Sequence, residues 1–283
     1  MKHLFTAIFT ILFFATSNAQ STSNTIILKD IEWDKNSPAS QIELQIPSEK
    51  SLLQGFMYKA NGAAKHPTLL LLHGFPGNER NLDLAQVVRS KGWNVIYFNY
   101  RGSWGSEGNF SFANCVQDVV NVVSFCKKFT DSLQIDTSNI VLFGHSMGGW
   151  VCLKALEQLP SIKKGFALSA WNIGEDFTGL KSEKDFEERI KAADEYFVLN
   201  TSPKEIFAPV YKNPATYNLI NDGAALANKQ IIMLDEHNLN MGAANAIQKE
   251  NKAYFDYEVW QTDHPFTNKR ISLINKVLDF LAR

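Results

Sequence analysis

Cysteine is scarce, and the little there is cannot form a framework. The 283-residue chain has three: Cys115, Cys126 and Cys152. Three thiols cannot all pair, and their spacing matches no zinc pattern. Cys115 and Cys126 fall in one expected helix, where eleven residues span about 16 Å, beyond disulfide reach. Buried free thiols are expected, with no disulfide scaffold, no metal site and no cofactor. Charge of one sign is also lacking. The 28 Lys and Arg offset 29 Asp and Glu, for a formal net charge of -1. That gives no electrostatic ground for a nucleic acid or an acidic membrane surface as partner. There is no basic run, no heptad pattern and no internal repeat.

The first residues read as a leader rather than as fold. Met1-Lys2-His3 is a short basic start, Leu4 to Ala15 is almost wholly apolar, and Ser17-Asn18-Ala19 puts small residues at the cleavage-determining positions. This is the pattern of a secretory signal peptide, residues 1–19, cut after Ala19. Leu4 to Ala15 is short for a bilayer span, so cleavage is favoured over anchoring. No lipobox cysteine is present. The expectation is a secreted or periplasmic protein with no membrane attachment after cleavage, its domain running over residues 20–283.

What the chain does have is the material of an ordinary globular core, 45% apolar and 20% charged. Ile26 to Trp33, Gln41 to Ile46 and Leu52 to Lys59 read as strands of an antiparallel edge. Thr68 to Leu72 is a solid apolar run, the mark of a strand buried on both faces. Leu82 to Lys91 reads as a helix, Trp93 to Asn99 as a strand, and Phe112 to Phe129 as a long amphipathic helix. Further strands are expected at Gly165 to Ala170, Gln230 to Leu234 and Tyr254 to Trp260. Helices are expected at Met241 to Asn251 and Phe266 to Leu281. This alternation predicts an α/β fold with a mostly parallel sheet covered on both faces. It breaks at residues 172–228, which carry a charged helical piece (Lys181 to Tyr196) and an aromatic, proline-marked piece. A connection of that length reads as a helical lid insertion over the active edge.

One stretch organises the rest. Ile140-Val141-Leu142-Phe143 runs into Gly144-His145-Ser146-Met147-Gly148-Gly149, and a helix-like segment, Trp150 to Leu159, follows. Strand, Gly-x-Ser-x-Gly turn and helix together give a strained serine with its hydroxyl projecting at the sheet edge. A serine needs a base, normally a histidine held by a carboxylate. His66 lies ahead of the first core strand, His145 sits inside the turn facing away, and His73 is better placed to brace its own loop. His264, in Thr262-Asp263-His264-Pro265-Phe266, follows the last strand at the same edge as Ser146 and is the candidate base. Leu234-Asp235-Glu236-His237-Asn238 supplies the acid. Asp235 ends the strand directly and is the first choice, with Glu236 as its rival. The oxyanion donors are the N–H groups of Met147, opening a helix, and Phe75, in His73-Gly74-Phe75-Pro76-Gly77. Pro76 has no N–H to give.

These residues together resemble the α/β-hydrolase superfamily. More narrowly they are similar to its dienelactone-hydrolase-like and prolyl-oligopeptidase-like serine hydrolases. The motifs that carry the resemblance are His73-Gly74-Phe75-Pro76-Gly77, Tyr100-Arg101-Gly102 with Gly105 and Gly108, the turn at Ser146, and Asp263-His264. The resemblance implies Ser146 as nucleophile, His264 as base, and Phe75 and Met147 as oxyanion donors. Arg101 matches a motif of the family and reads better as a brace for its own loop than as a substrate ligand. The family's usual acid position falls near Asn238, which carries no charge, so the carboxylate is displaced to Asp235 or Glu236. The expected activity is hydrolysis of a small-molecule ester through an acyl-enzyme. A peptidase or amidase of the same fold is the nearest rival, and a non-catalytic binding protein the more distant one. Phe177, Phe186, Tyr196, Phe197, Phe207, Tyr211 and Tyr217 could wall an apolar pocket, but taken singly each reads better as packing for the insertion.

Overall fold

A computed structural model describes residues 30–191 and 196–283. The leader and part of the first expected strand, Ile26 to Lys29, lie outside the described residues. Ile31–Arg283 form one compact unit. Residues 30–39 are irregular, so the strand expected to reach Trp33 does not extend into them. The hairpin that follows is as expected. β1 (Ser40–Ser48) pairs antiparallel with β2 (Ser51–Lys59), and β2 pairs antiparallel with β4 (Asn94–Phe98).

From β3 (His66–Leu72) onward the strands run parallel. The sheet has the order β1-β2-β4-β3-β5-β6-β7-β8, with β5 Ile135–His145, β6 Lys164–Leu168, β7 Gln230–Asp235 and β8 Tyr254–Val259. Every residue of β4, and six of the seven in β3, is buried. Burial without alternation requires cover on both faces, which explains why these strands read as solid apolar runs. The cover comes from α1 (Leu82–Ser90), α2 (Phe112–Lys128), α3 (Met147–Gln158), α7 (Met241–Glu250) and α8 (Arg270–Leu281). β5 begins at Ile135, earlier than Ile140: Ile135 pairs with His66, and a shift in register passes over the polar stretch Asp136 to Asn139 before Ile140 pairs with Thr68.

The insertion holds α4 (Glu183–Lys191), α5 (Pro203–Lys212) and α6 (Pro214–Tyr217), with 3₁₀ turns at Glu175–Phe177 and Leu219–Asn221. α5 starts with a capping box. The Ser202 hydroxyl accepts from Glu205 N–H, and the Glu205 carboxylate accepts from Ser202 N–H at 2.9 Å. The segment is fastened to the sheet edge at several points. Trp150 Nε1 donates to Tyr217 O at 2.9 Å, Trp104 N to Val198 O at 3.0 Å, and Asn200 N to Gly102 O at 2.7 Å. The aromatics of the insertion do mostly pack. Phe177, Phe186 and Phe207 are buried, with Phe177 stacked on Phe207 and Phe186 on Tyr211, whereas Phe197 is exposed.

Two buried carboxylates shape the loops at the carboxyl edge. Arg101 is the brace expected of it. Its Nε lies 2.5 Å from Asp118 Oδ1 in α2, and its backbone N–H donates to Asp118 Oδ2 at 2.8 Å. Ser48 adds a third donor to the same carboxylate at 2.5 Å. Asp235 is the other. It ends β7 fully buried and accepts from Asn240 Nδ2 at 3.0 Å, while the same amide donates to Ala170 O at 2.7 Å. Burial, opposed by that hydrogen bond, raises the Asp235 carboxyl to about 6.

Two outcomes follow for stability. Asp118→Ala strands the buried Arg101 guanidinium and should destabilise the fold by about 3–5 kcal/mol, measured by urea denaturation. Asp235 should make stability fall as pH rises. Its folded value of about 6 lies above the ordinary aspartate value near 3.9, so the native state binds the proton more tightly between those limits. Its contribution is present at about pH 4 and lost as pH passes about 6. Asp235→Asn should remove that slope, gaining on the native chain on the order of 2 kcal/mol between pH 4 and pH 7. A variant that tracks the native chain at both pH values would contradict it.

Candidate active site

Because β3 to β8 are parallel, the loops that leave their carboxyl ends share one edge. Ser146 stands there after β5, Gly74 and Phe75 after β3, Ser169 after β6, Glu236 after β7 and His264 after β8. Ser146 has φ 60° and ψ -122°, a strained conformation for a non-glycine residue. The turn that forces it is held by neighbours on both sides. Ser146 N donates to Leu168 O at 2.8 Å, and Trp171 N donates to Ser146 O at 3.0 Å. Glycine is required at 144 and 148 by close approach. A Cβ on Gly144 would fall on the Gly148 carbonyl, and one on Gly148 would fall on the Leu72 carbonyl.

α3 starts at Met147, so the Met147 N–H is one of the first-turn donors that have no intrahelical acceptor. Gly74, beside Phe75, sits against the serine: a Cβ there would lie 3.0 Å from Ser146 Cβ. Phe75 itself is the hub of an aromatic cluster, with Tyr196 at 4.5 Å between ring centroids and Trp171 at 5.9 Å. His73 holds this loop, its Nδ1 lying 2.8 Å from Gly74 O. Burial lowers His73 to about 4, so it is neutral at pH 7 and a brace.

The histidine and the acid are where the structure departs from the first expectation. His264 Nδ1 lies 2.6 Å from Oε1 of Glu236, not from Asp235. Successive residues at a strand end point to opposite sides. Asp235 turns into the protein towards Asn240, and Glu236, the next residue, turns out towards the histidine. Asp235 as partner of His264 is therefore corrected to Glu236. Asp263, adjacent to His264, is engaged elsewhere and accepts from Thr267 N at 2.6 Å. Burial alone would raise the Glu236 carboxyl. The hydrogen bonds from His264 and Ser169 outweigh it and hold the group at about 2, so it is ionised across the whole neutral range.

The loop bearing His264 is anchored twice. His145 Nε2 lies 3.0 Å from His264 O, and burial lowers His145 to about 4, so the neutral ring donates there. Arg270 Nη1 donates to Pro265 O at 3.1 Å while the same side chain pairs with Asp83 of α1. The inward-facing histidine of the turn thus holds the backbone of the outward-facing one.

Ser146, Ser169, Trp171, Glu175, His237 and His264 line one cavity of about 480 Å³. Asp176 is also on its wall and is paired with Arg189 at 3.1 Å. Of the aromatics considered as pocket wall, none borders this cavity. Phe177, Tyr196 and Phe207 border a smaller side cavity of about 170 Å³ behind Trp171. Ser169 went unnoticed in the sequence. Its hydroxyl lies 2.5 Å from Glu236 Oε2 and 3.0 Å from His264 Nδ1. A lone serine at the end of a short strand carries no motif, and only the fold brings it to the carboxylate.

Several known proteins are similar. A lysophosphatidylserine lipase of Danio rerio is 27% identical over 129 residues, which are 44% of this chain and 32% of that protein. An uncharacterised 31.7 kDa protein of Escherichia coli is 34% identical over 108 residues, 36% of each chain. These matches span about a third of the relatives' own length. Among solved structures, the Pyrococcus furiosus esterase Pf2001 superposes with a TM-score of 0.64 at 18% identity, over 89% of this chain and 94% of that one. Est1E from Butyrivibrio proteoclasticus, solved with ferulic acid, gives a TM-score of 0.64 at 17% identity, over 85% and 100%. The family model for the alpha/beta hydrolase fold matches residues 67–253, from β3 through α7 and across the turn at Ser146, and by that match the chain belongs to the α/β-hydrolase fold family.

Proposed function

We propose that the protein is a serine hydrolase that cleaves carboxylic esters through an acyl-enzyme, with Ser146 as nucleophile, His264 as base and Glu236 as the acid. The observation that carries this is the short Glu236–His264 hydrogen bond beside the cavity that Ser146 also lines. Glu236 is ionised and can only accept, so the hydrogen must sit on His264 Nδ1. That fixes the tautomer and leaves the Nε2 lone pair to take the Ser146 proton. The positive charge that forms on the ring is stabilised by the carboxylate. Attack of Ser146 Oγ on the ester carbonyl places negative charge on its oxygen, for which the Phe75 and Met147 N–H groups are the donors. His264 then returns the proton to the leaving alkoxide, and water repeats the sequence to release the acid.

The cavity wall argues for the class of ester. Its lining carries the carboxylates of Glu175 and Asp176 and, among the described residues, neither lysine nor arginine. An uncharged ester suits this wall better than the anionic headgroup named for the Danio rerio relative. Export by way of the leader Met1 to Ala19 belongs to the same proposal and rests on the sequence alone.

Two experiments test the reading. Ser146→Ala should lose about 10⁶ in kcat on a panel of neutral acyl esters while keeping its melting temperature. Turnover of aminoacyl amides in preference to every ester would make the protein an amidase, and full activity in the variant would overturn the serine mechanism. Glu236→Gln should lower kcat by about 10³–10⁴, since the amide can present a donor to His264 and favour the wrong tautomer. Asp235→Asn should cost less than about fivefold. The reverse ranking would return the acid to Asp235.

A further inference from the structure

We propose that Ser169 is a positioning residue for the acid–base pair, its hydroxyl fixing one carboxylate oxygen of Glu236 so that the other faces His264. The inference rests on the reading of Glu236 and His264 as acid and base. Glu236 reaches the histidine on an arm one methylene longer than an aspartate's, and a free glutamate arm samples many rotamers. Something must hold it. Ser169 Oγ is 2.5 Å from Oε2, while Oε1 is 2.6 Å from His264 Nδ1. Each oxygen of the carboxylate therefore has its own donor. The serine has one O–H, and it donates that hydrogen bond to Oε2 of the ionised carboxylate. Its lone pairs are left facing the Nδ1–H at 3.0 Å, a second acceptor beside Oε1. The triangle of Ser169, Glu236 and His264 is closed only with the proton on Nδ1.

The backbone supplies a separate observation. Ser169 is 1% exposed and has φ 47°, in the left-handed region that glycine enters freely and serine does not. Its N–H donates to Leu234 O at 2.7 Å, which ties the end of β6 to β7 two residues before Glu236. Glycine would satisfy that backbone with less strain. The residue that is there brings a hydroxyl to the carboxylate instead, which is the signature of strain retained for a site.

This separates stability from activity in one substitution. Ser169→Gly should keep or raise the melting temperature, because strain is relieved, and lower kcat by about 10–100-fold with KM within about twofold. In a Glu236→Gln background the same change should cost less than about twofold, because the serine acts through the carboxylate. An unchanged kcat in Ser169→Gly, or an equal loss in both backgrounds, overturns the proposal. A readout independent of turnover is the proton NMR signal of His264 Nδ1–H. It should be visible and slowly exchanging in the native chain and broadened in Ser169→Gly. If the native chain hydrolyses no ester, the proposed activity fails, and this signal alone decides the role of Ser169. Its persistence unaltered in Ser169→Gly would rule the role out.

Discussion

A helix has to begin one residue after β5 ends, and it has to do so in contact with the strands on either side. That constraint governs the structure. The Gly148 Cα lies so near the Leu72 carbonyl that no side chain fits there, and Gly144 is closed in the same way by Gly148. Ser146, between them, is driven to φ 60°. The cost is met by packing: most of β3 and β6 and the Ile140 to His145 end of β5 are buried, and Ser146 is bonded on both sides to the end of β6 and the residue after Ala170. The fixed position of Ser146 comes from a rigid sheet.

The other parts of the site are held by groups that do no chemistry themselves. His73 fixes the loop of Phe75, His145 fixes the backbone of His264, and Asp235 with Asn240 fixes the loop after β7. Two buried histidines are kept neutral by burial and spend their ring N–H groups on carbonyls. The exposed one, His264, is left with a carboxylate on one nitrogen and the cavity on the other side. Burial thus separates two histidines that brace loops from one that is the candidate base.

Legibility in the sequence followed the physics of each element. Strands buried on both faces announce themselves as apolar runs, so β3 to β7 and the sheet class could be read. The turn at Ser146 could be read because close approach demands glycine at fixed spacing. The acid could not be settled, because Asp235 and Glu236 are adjacent and the choice depends on which side the last strand residue faces. Alternation favours Glu236 only once Asp235 is known to point inward. Ser169 was invisible for a different reason: its role depends on two loops 67 and 95 residues away. The strand expected at Ile26 to Trp33 does not reach its expected end, since residues 30–39 run irregularly.

The central claim is that Ser146 is made nucleophilic by His264 under the control of Glu236. The most direct measurement is covalent labelling by a fluorophosphonate, followed by peptide mass mapping. The account predicts a single adduct, on Ser146, formed rapidly in the native chain and far more slowly when Glu236 is replaced by glutamine. An adduct on another residue, or labelling at an undiminished rate without the Glu236 carboxylate, would contradict it.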